Sequence, residues 1–209
     1  EKYFSDLIKT YPEGNLTADA AYRIAIIDYE KGELDKAMNA LEDLKIKYPK
    51  SELIPMAEQK IIDILMKKDN FIQAKERLLK LAADYKNTAF IKIVYKYLGD
   101  ISKKEGNIKD AINYYKKSMD DRRGDFNAGL QFTIGRLYEE SGDSEAAVAE
   151  YMKVGYIYPD STEIVANATL SCARILEKQN KVREAVKLYK KVSEMDVKEA
   201  ADAKERLKA

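Results

Sequence analysis

Residues 132–159 read FTIGRLYEESGDSEAAVAEYMKVGYIYP. Phe132, Ile134, Gly135, Leu137 and Tyr138 come before Gly142-Asp143, and Ala147, Val148, Tyr151 and Val154 come after it. Both sets have the i, i+3 and i+4 spacing of a helix with one apolar face. Gly142 tolerates the left-handed backbone angles at which a helix ends, and Pro159 cannot continue one. The stretch therefore predicts a helical hairpin: helix A, a turn, then helix B.

The same figure recurs along the chain. Ala147/Tyr151 has counterparts in Ala37/Leu41, Ala74/Leu78, Ala111/Tyr115 and Ala185/Tyr189, with successive alanines 37, 37, 36 and 38 residues apart. Repetition at this period marks a solenoid. A turn lies about five residues before each alanine: Lys31-Gly32-Glu33, Asp69-Asn70, Gly106-Asn107, Gly142-Asp143 and Asn180-Lys181. Five hairpins are expected over 17–50, 51–87, 88–125, 126–161 and 162–196, in a single array that fills 1–209. Residues 1–12 read as a helix B without its helix A, and 197–209 as a charged, Ala-rich capping helix. There is no initiator Met, so the chain is expected to be a piece of a longer protein.

Tyr11-Pro12, Tyr48-Pro49 and Tyr158-Pro159 close three B helices, and Ser51 and Ser161 stand where they could cap the next helix A. Tyr85-Lys86 and Arg122-Arg123 occupy the other junctions, which are less sharply specified. The loosest segments are expected at Pro12–Thr17 and Asp120–Asp125. Closely packed helices leave room for little beyond Gly or Ala at the crossing. Ala25, Gly99, Gly135 and Ala173 of the A helices are expected to face the alanines of the B helices there. Ile62 holds the equivalent place in the second hairpin, whose crossing should be wider and less regular.

Ile134-Gly135-x2-Tyr138, Ala147-x3-Tyr151 and Pro159 resemble the tetratricopeptide repeat (TPR) signature W-x2-L-G-x2-Y…A-x3-F…P, with Gln131 in the aromatic's place. Tyr95-x2-Leu98-Gly99 with Ala111-x3-Tyr115, and Ile24-Ala25 with Ala37-x3-Leu41 and Pro49, repeat the resemblance. It covers nearly the whole chain and implies an all-α, right-handed superhelical solenoid of TPR-like hairpins. It also implies a concave groove, built mainly from A helices, that binds a protein or peptide segment.

By register, the groove-facing candidates are Tyr22, Ile26 and Tyr29; Gln59, Asp63 and Met66; Lys96, Asp100 and Lys103; Phe132, Arg136 and Glu139; then Leu170 and Arg174. Aromatic and Arg residues are the types that dominate interface energetics. Chaperone-binding members of the family clamp a terminal carboxylate with Lys and Asn on consecutive A helices. Tyr22 and Ile26 stand where those residues would be needed, and Asp100 follows Lys96, so that clamp is not expected.

Composition removes other functions. No histidine is present, which excludes Ser-His triads and His-ligated zinc, and Cys172 alone cannot form an internal disulfide. Cys172 reads as a small apolar residue of helix A in the fifth hairpin. With 37 Lys+Arg against 36 Asp+Glu, nucleic acid is not an expected partner. No apolar run reaches the length of a membrane span, so no direct insertion is expected. No phosphate loop or cofactor fingerprint appears, and the chain reads as a non-enzyme without cofactor or metal. Arg123-Gly124-Asp125 spells an adhesion tripeptide, and Asn15-Leu16-Thr17 and Asn167-Ala168-Thr169 spell glycosylation sequons; all three read as chance matches.

The Tyr-Pro-x-Ser junctions, Tyr48 to Ser51 and Tyr158 to Ser161, are similar to those of bacterial cell-envelope TPR proteins. Those include outer-membrane assembly lipoproteins and Tol–Pal coordinators. The resemblance implies a periplasmic scaffold in assembly or localisation of an envelope complex. A cytoplasmic peptide-sensing regulator and a self-assembling structural protein remain as alternatives.

Overall fold

Five residues between described helices carry left-handed backbone angles: Gly32 (φ 82°), Asp69 (53°), Gly106 (74°), Gly142 (84°) and Asn180 (59°). Each marks the turn of one hairpin. The computed structural model describes residues 2–10 and 15–208, and among these it contains helices and no strand. After α1 (Lys2–Thr10) come the hairpins α2 (Asn15–Glu30) with α3 (Leu34–Lys47), and α4 (Ile54–Lys67) with α5 (Phe71–Asp84). Then follow α6 (Phe90–Lys104) with α7 (Ile108–Ser118), α8 (Asp125–Glu140) with α9 (Ser144–Ile157), α10 (Thr162–Lys178) with α11 (Val182–Ser193), and finally α12 (Ala200–Arg206). Tyr11 and Pro12 lie outside the described residues.

The turns share one hydrogen-bond scheme. The N–H of the residue after the left-handed position reaches back to the carbonyl five residues earlier: Glu33 to Asp28 (2.9 Å), Asn107 to Ser102 (2.8 Å), Asp143 to Tyr138 (2.9 Å) and Lys181 to Leu176 (2.9 Å). This is the Schellman arrangement, which satisfies carbonyls left open at a helix end. In the second hairpin Asp69 takes the left-handed place. Asn70 then becomes the N-cap of α5, its Oδ1 accepting from the Gln73 N–H at 3.3 Å.

The chain divides into two compact units, Glu1–Phe90 and Ile91–Ala209. In the first, Ala25, Ala37, Leu41, Leu44, Ile61, Ile62, Leu65, Ala74 and Leu78 are fully or almost fully buried. In the second, one cluster gathers Ala111, Tyr115, Leu130, Ile134 and Leu137, and another gathers Ala147, Tyr151, Val154, Val165 and Cys172. A third gathers Ala166, Leu170, Ala173, Ala185, Tyr189 and Ala203, so α12 covers the last apolar face.

Two register pairs recur along the hairpins. A Cβ added to Gly99 would stand 2.7 Å from the ring of Tyr115, and one on Gly135 would stand 2.6 Å from the ring of Tyr151. The small residue of helix A is thus required by the aromatic four residues after the helix B alanine. In sequence the pair is separated by sixteen residues, and the same spacing gives Ala25/Leu41, Ile62/Leu78 and Ala173/Tyr189. Where helix A carries the bulky Ile62, helix B carries the smaller Leu78.

The second pair is separated by nineteen residues. Arg77 Nε donates to Glu58 Oε2 at 2.6 Å, the rings of Tyr95 and Tyr114 stack at 6.3 Å, and Gln131 Nε2 donates to Glu150. Gln131 and Glu58 hold the place where the repeat signature has an aromatic. Both are buried, and each is satisfied by a polar partner on helix B.

The junctions depart from expectation in two respects. Ser161 precedes α10 without capping it; its hydroxyl donates instead to Asp125 Oδ1 at 2.6 Å. Ser51 accepts from the Leu53 N–H at 3.2 Å, and α4 begins only at Ile54. Tyr85 closes α5 as Tyr48 and Tyr158 close their helices: the Thr88 N–H returns to the Tyr85 carbonyl at 3.0 Å, as those of Ser51 and Ser161 return to Tyr48 and Tyr158. Asp120 organises the segment before α8. Its carboxylate accepts from Arg122 Nε (2.8 Å), Arg122 N (3.0 Å) and Asn127 Nδ2 (2.9 Å). These bonds, Arg122 first, hold the Asp120 carboxyl well below the usual range.

Candidate functional site

The expected groove residues fall into two sets, one in each unit. In the first, Tyr22 and Ile26 on α2 line an open cavity of about 310 Å³ together with Phe4, Ile27, Leu53 and Met56. Asp19 and Arg23 stand at the same cavity and pair with each other at 2.6 Å. Burial pushes the Tyr22 phenol up, Lys60 opposing and Asp63 adding to the effect. Tyr29 carries Lys67 Nζ at 4.0 Å and Lys60 Nζ at 4.3 Å from its ring centroid. Asp63 pairs with Lys60 at 3.2 Å, while Gln59 and Met66 are half-buried on α4.

In the second unit much of the expected groove is engaged internally. Lys96 pairs with Asp100 at 2.7 Å, and Asp100 accepts from the Tyr115 hydroxyl at 2.8 Å. Glu139 accepts from Tyr151 at 2.8 Å, and Glu177 from Tyr189 at 2.7 Å. Burial first, then the carboxylate, raises all three phenols, that of Tyr189 to about 12. Glu139 and Arg174 line a cavity of about 510 Å³ with Glu177, Lys178 and Arg206. Arg174 is paired with Asp202, and Arg136 with Glu140 at 3.4 Å. Lys103 is half-buried near the end of α6.

Two expected groove residues lie elsewhere. Leu170 is 3% exposed and belongs to the core with Ala173 and Tyr189, because it sits on the face of α10 turned toward α11. Phe132 packs on the core of the fourth and fifth hairpins, its ring 5.5 Å from that of Tyr151. Phe4, Leu53, Met56, Lys60 and Lys67 were not foreseen. Phe4 comes from the partial repeat and Leu53 from ahead of α4, so a register built on A helices passes over both.

Other motifs resolve into structure. Cys172 is buried, and burial pushes its thiol up to about 11. Asn167 lies within α10, its amide nitrogen donating to the Glu163 carbonyl and to Glu199 Oε1, both at 2.9 Å. The nitrogen a glycan would need is thus occupied in the folded helix. Among the described residues no group of three His, Cys, Asp or Glu side chains could hold a metal ion. No described helix is long and apolar enough to cross a membrane.

Solved structures of the same fold include the C-terminal part of a TPR repeat-containing protein from Cytophaga hutchinsonii. It is 20% identical, with a TM-score of 0.71 over 92% of this chain and 71% of that one. MamA is 21% identical, with a TM-score of 0.63 over 88% of this chain and 95% of its own. YrrB, described as a TPR protein with an unusual peptide-binding site, is 17% identical, with a TM-score of 0.60 over 97% of both chains. A search of curated protein sequences gave no match. Tetratricopeptide repeat models match residues 128–161 and 168–201. With the model of the tetratricopeptide repeat-like domain spanning residues 1–137, the chain belongs to the tetratricopeptide repeat family.

Proposed function

We propose that this chain is a non-catalytic scaffold that holds a protein segment against the A helices of its first unit. The observation that carries the reading is the open apolar cavity at Tyr22 and Ile26. Ligand sites are concave, mainly apolar and edged by a few polar groups, and this cavity has an ion pair at its edge. TPR arrays are typically protein-interaction scaffolds, and the description of YrrB as peptide-binding supports the same use.

The test compares capture of partners from the source organism by the wild-type chain and by Tyr22→Ser/Ile26→Ser, each verified as helical by circular dichroism. A partner retained by the wild type and lost by the variant is expected. Equal capture by both would move the site away from α2. The Tyr-Pro-x-Ser junctions support a further reading, that the scaffold serves assembly or localisation of a bacterial envelope complex in the periplasm. A cytoplasmic compartment for the captured partner would overturn that.

A further inference from the structure

Tyr29 stands on the same side of α2 as Tyr22 and Ile26, seven and three residues farther along the helix. Its ring holds the ammonium groups of Lys60 and Lys67, which places these like charges within about 8 Å of each other. They lie on α4, seven residues apart, and side chains at that spacing share a helix face. Tyr29 follows Ile26 by about one turn on the same side of α2, so this charged patch adjoins the cavity.

The charges on this face do not balance. Arg23 has Asp19, and Lys60 has Asp63. Lys67 has no carboxylate partner among the described residues; its ammonium rests on the Tyr29 ring beside a second cation. Lys67 thus offers an ammonium with no carboxylate partner among the described residues, on the helix side that the open apolar cavity also uses.

We propose that the segment received by the first unit carries an acidic side chain two residues from the apolar side chain that fills the cavity, and that Lys67, with Lys60, takes up its carboxylate. This rests on the docking reading above and adds the chemistry of the partner. The spacing follows from the helix. The centre of the Tyr22–Ile26 pair lies about five residues from Tyr29, or roughly 7.5 Å of helical rise. An extended segment advances about 3.3 Å per residue and turns alternate side chains to one face, so positions i and i+2 span about 6.6 Å. The partner therefore carries its apolar and acidic side chains at positions i and i+2 of an extended segment, and the spacing alone leaves either order open.

The probes are the capped peptides Gly-Ser-Leu-Ser-Glu-Ser-Gly and Gly-Ser-Glu-Ser-Leu-Ser-Gly, titrated into the full ¹⁵N-labelled chain and followed by amide shifts of α2 and α4. Three companions of each carry Gln or Lys in place of Glu, or Ser in place of Leu. In at least one order the Glu peptide should bind about three- to fivefold more tightly than the Gln peptide, the scale of an exposed ion pair. That advantage should vanish in Lys67→Met and fade at about 0.5 M salt, while the Leu dependence persists in both. Equal binding of the Glu, Gln and Lys peptides in both orders, with Leu still required, would overturn the acidic partner and leave the cavity as the docking site. Shifts that ignore the Leu→Ser change, or no shifts up to millimolar peptide, would overturn both readings.

Discussion

The second and fourth hairpins pack the same two register positions with opposite chemistry. In the fourth, Gly135 gives way to the Tyr151 ring; in the second, Ile62 meets a position filled by Leu78. In the fourth, Gln131 of helix A donates to Glu150 of helix B; in the second, Glu58 of helix A accepts from Arg77 of helix B. The acid moves from one helix to the other, while Ile62 with Leu78 fills more volume than Gly135 with Tyr151. The repeat therefore fixes neither an identity nor a total volume at these positions, and each hairpin meets the need for close packing locally.

Alkali should separate the two hairpins most strongly. Tyr151, like Tyr115 and Tyr189, is held neutral by burial and by its carboxylate, whereas Leu78 cannot ionise. A phenol ionises at about pH 10 in an unfolded chain. A folded value above that gives stability fully present below about pH 10 and lost as pH rises through the folded value, about 12 for Tyr189. Phenolate absorbance should appear in two waves, the later one accompanied by loss of helical signal. A single wave near pH 10 with helices intact would contradict the buried hydroxyl bonds.

Arg77→Met tests the second hairpin at its polar pair. Glu58 lies with Arg77 and Lys45, and Arg77 also reaches Glu42 at 2.6 Å. With Lys45 still beside Glu58, removing Arg77 should cost about 2 kcal/mol in urea unfolding, and Glu58→Met added to it should restore part of the loss. Gly135→Ile tests the close approach of the ring and should cost about 1–3 kcal/mol through overlap with Tyr151. Adding Tyr151→Leu, which copies the second hairpin into the fourth, should recover at least half of that in a double-mutant cycle. The smallest effects belong to the turns: Gly142→Ala should lose about 1 kcal/mol, and Asp69→Gly should gain about 0.5 kcal/mol, by thermal unfolding.

The turns were legible because the left-handed backbone accepts few residue types, and Gly32, Gly106, Gly142 and Asn180 stand where the period requires them. Helices such as α7 and α11 were legible because they bury one face at a fixed spacing. What periodicity could not give is which atom a small residue avoids: a Cβ on Gly135 would run into the Tyr151 ring, and that contact depends on a ring crossing between helices. Ser161 shows the same limit, since its Asp125 partner lies 36 residues away and outbids the local cap. The site was half legible. Tyr22 and Ile26 follow from register, but Lys60 and Lys67 gain meaning only when α4 is laid beside α2 and both reach Tyr29. Leu170 was misassigned because α10 is apolar on more than one side, burying Val165, Ala168 and Cys172 as well as Leu170 and Ala173.

Cys172 turns the fifth hairpin into its own clock. A lone thiol, 1% exposed and pushed up to about 11, offers a labelling reagent almost no thiolate while α10 is packed. It reacts when that helix lifts away from its neighbours, so the rate of modification under native conditions measures how often the last repeat opens. A ligand that clamps only the first unit should leave this rate unchanged. One that reaches the second unit should slow it, and a single cysteine makes the reading unambiguous without any added label site.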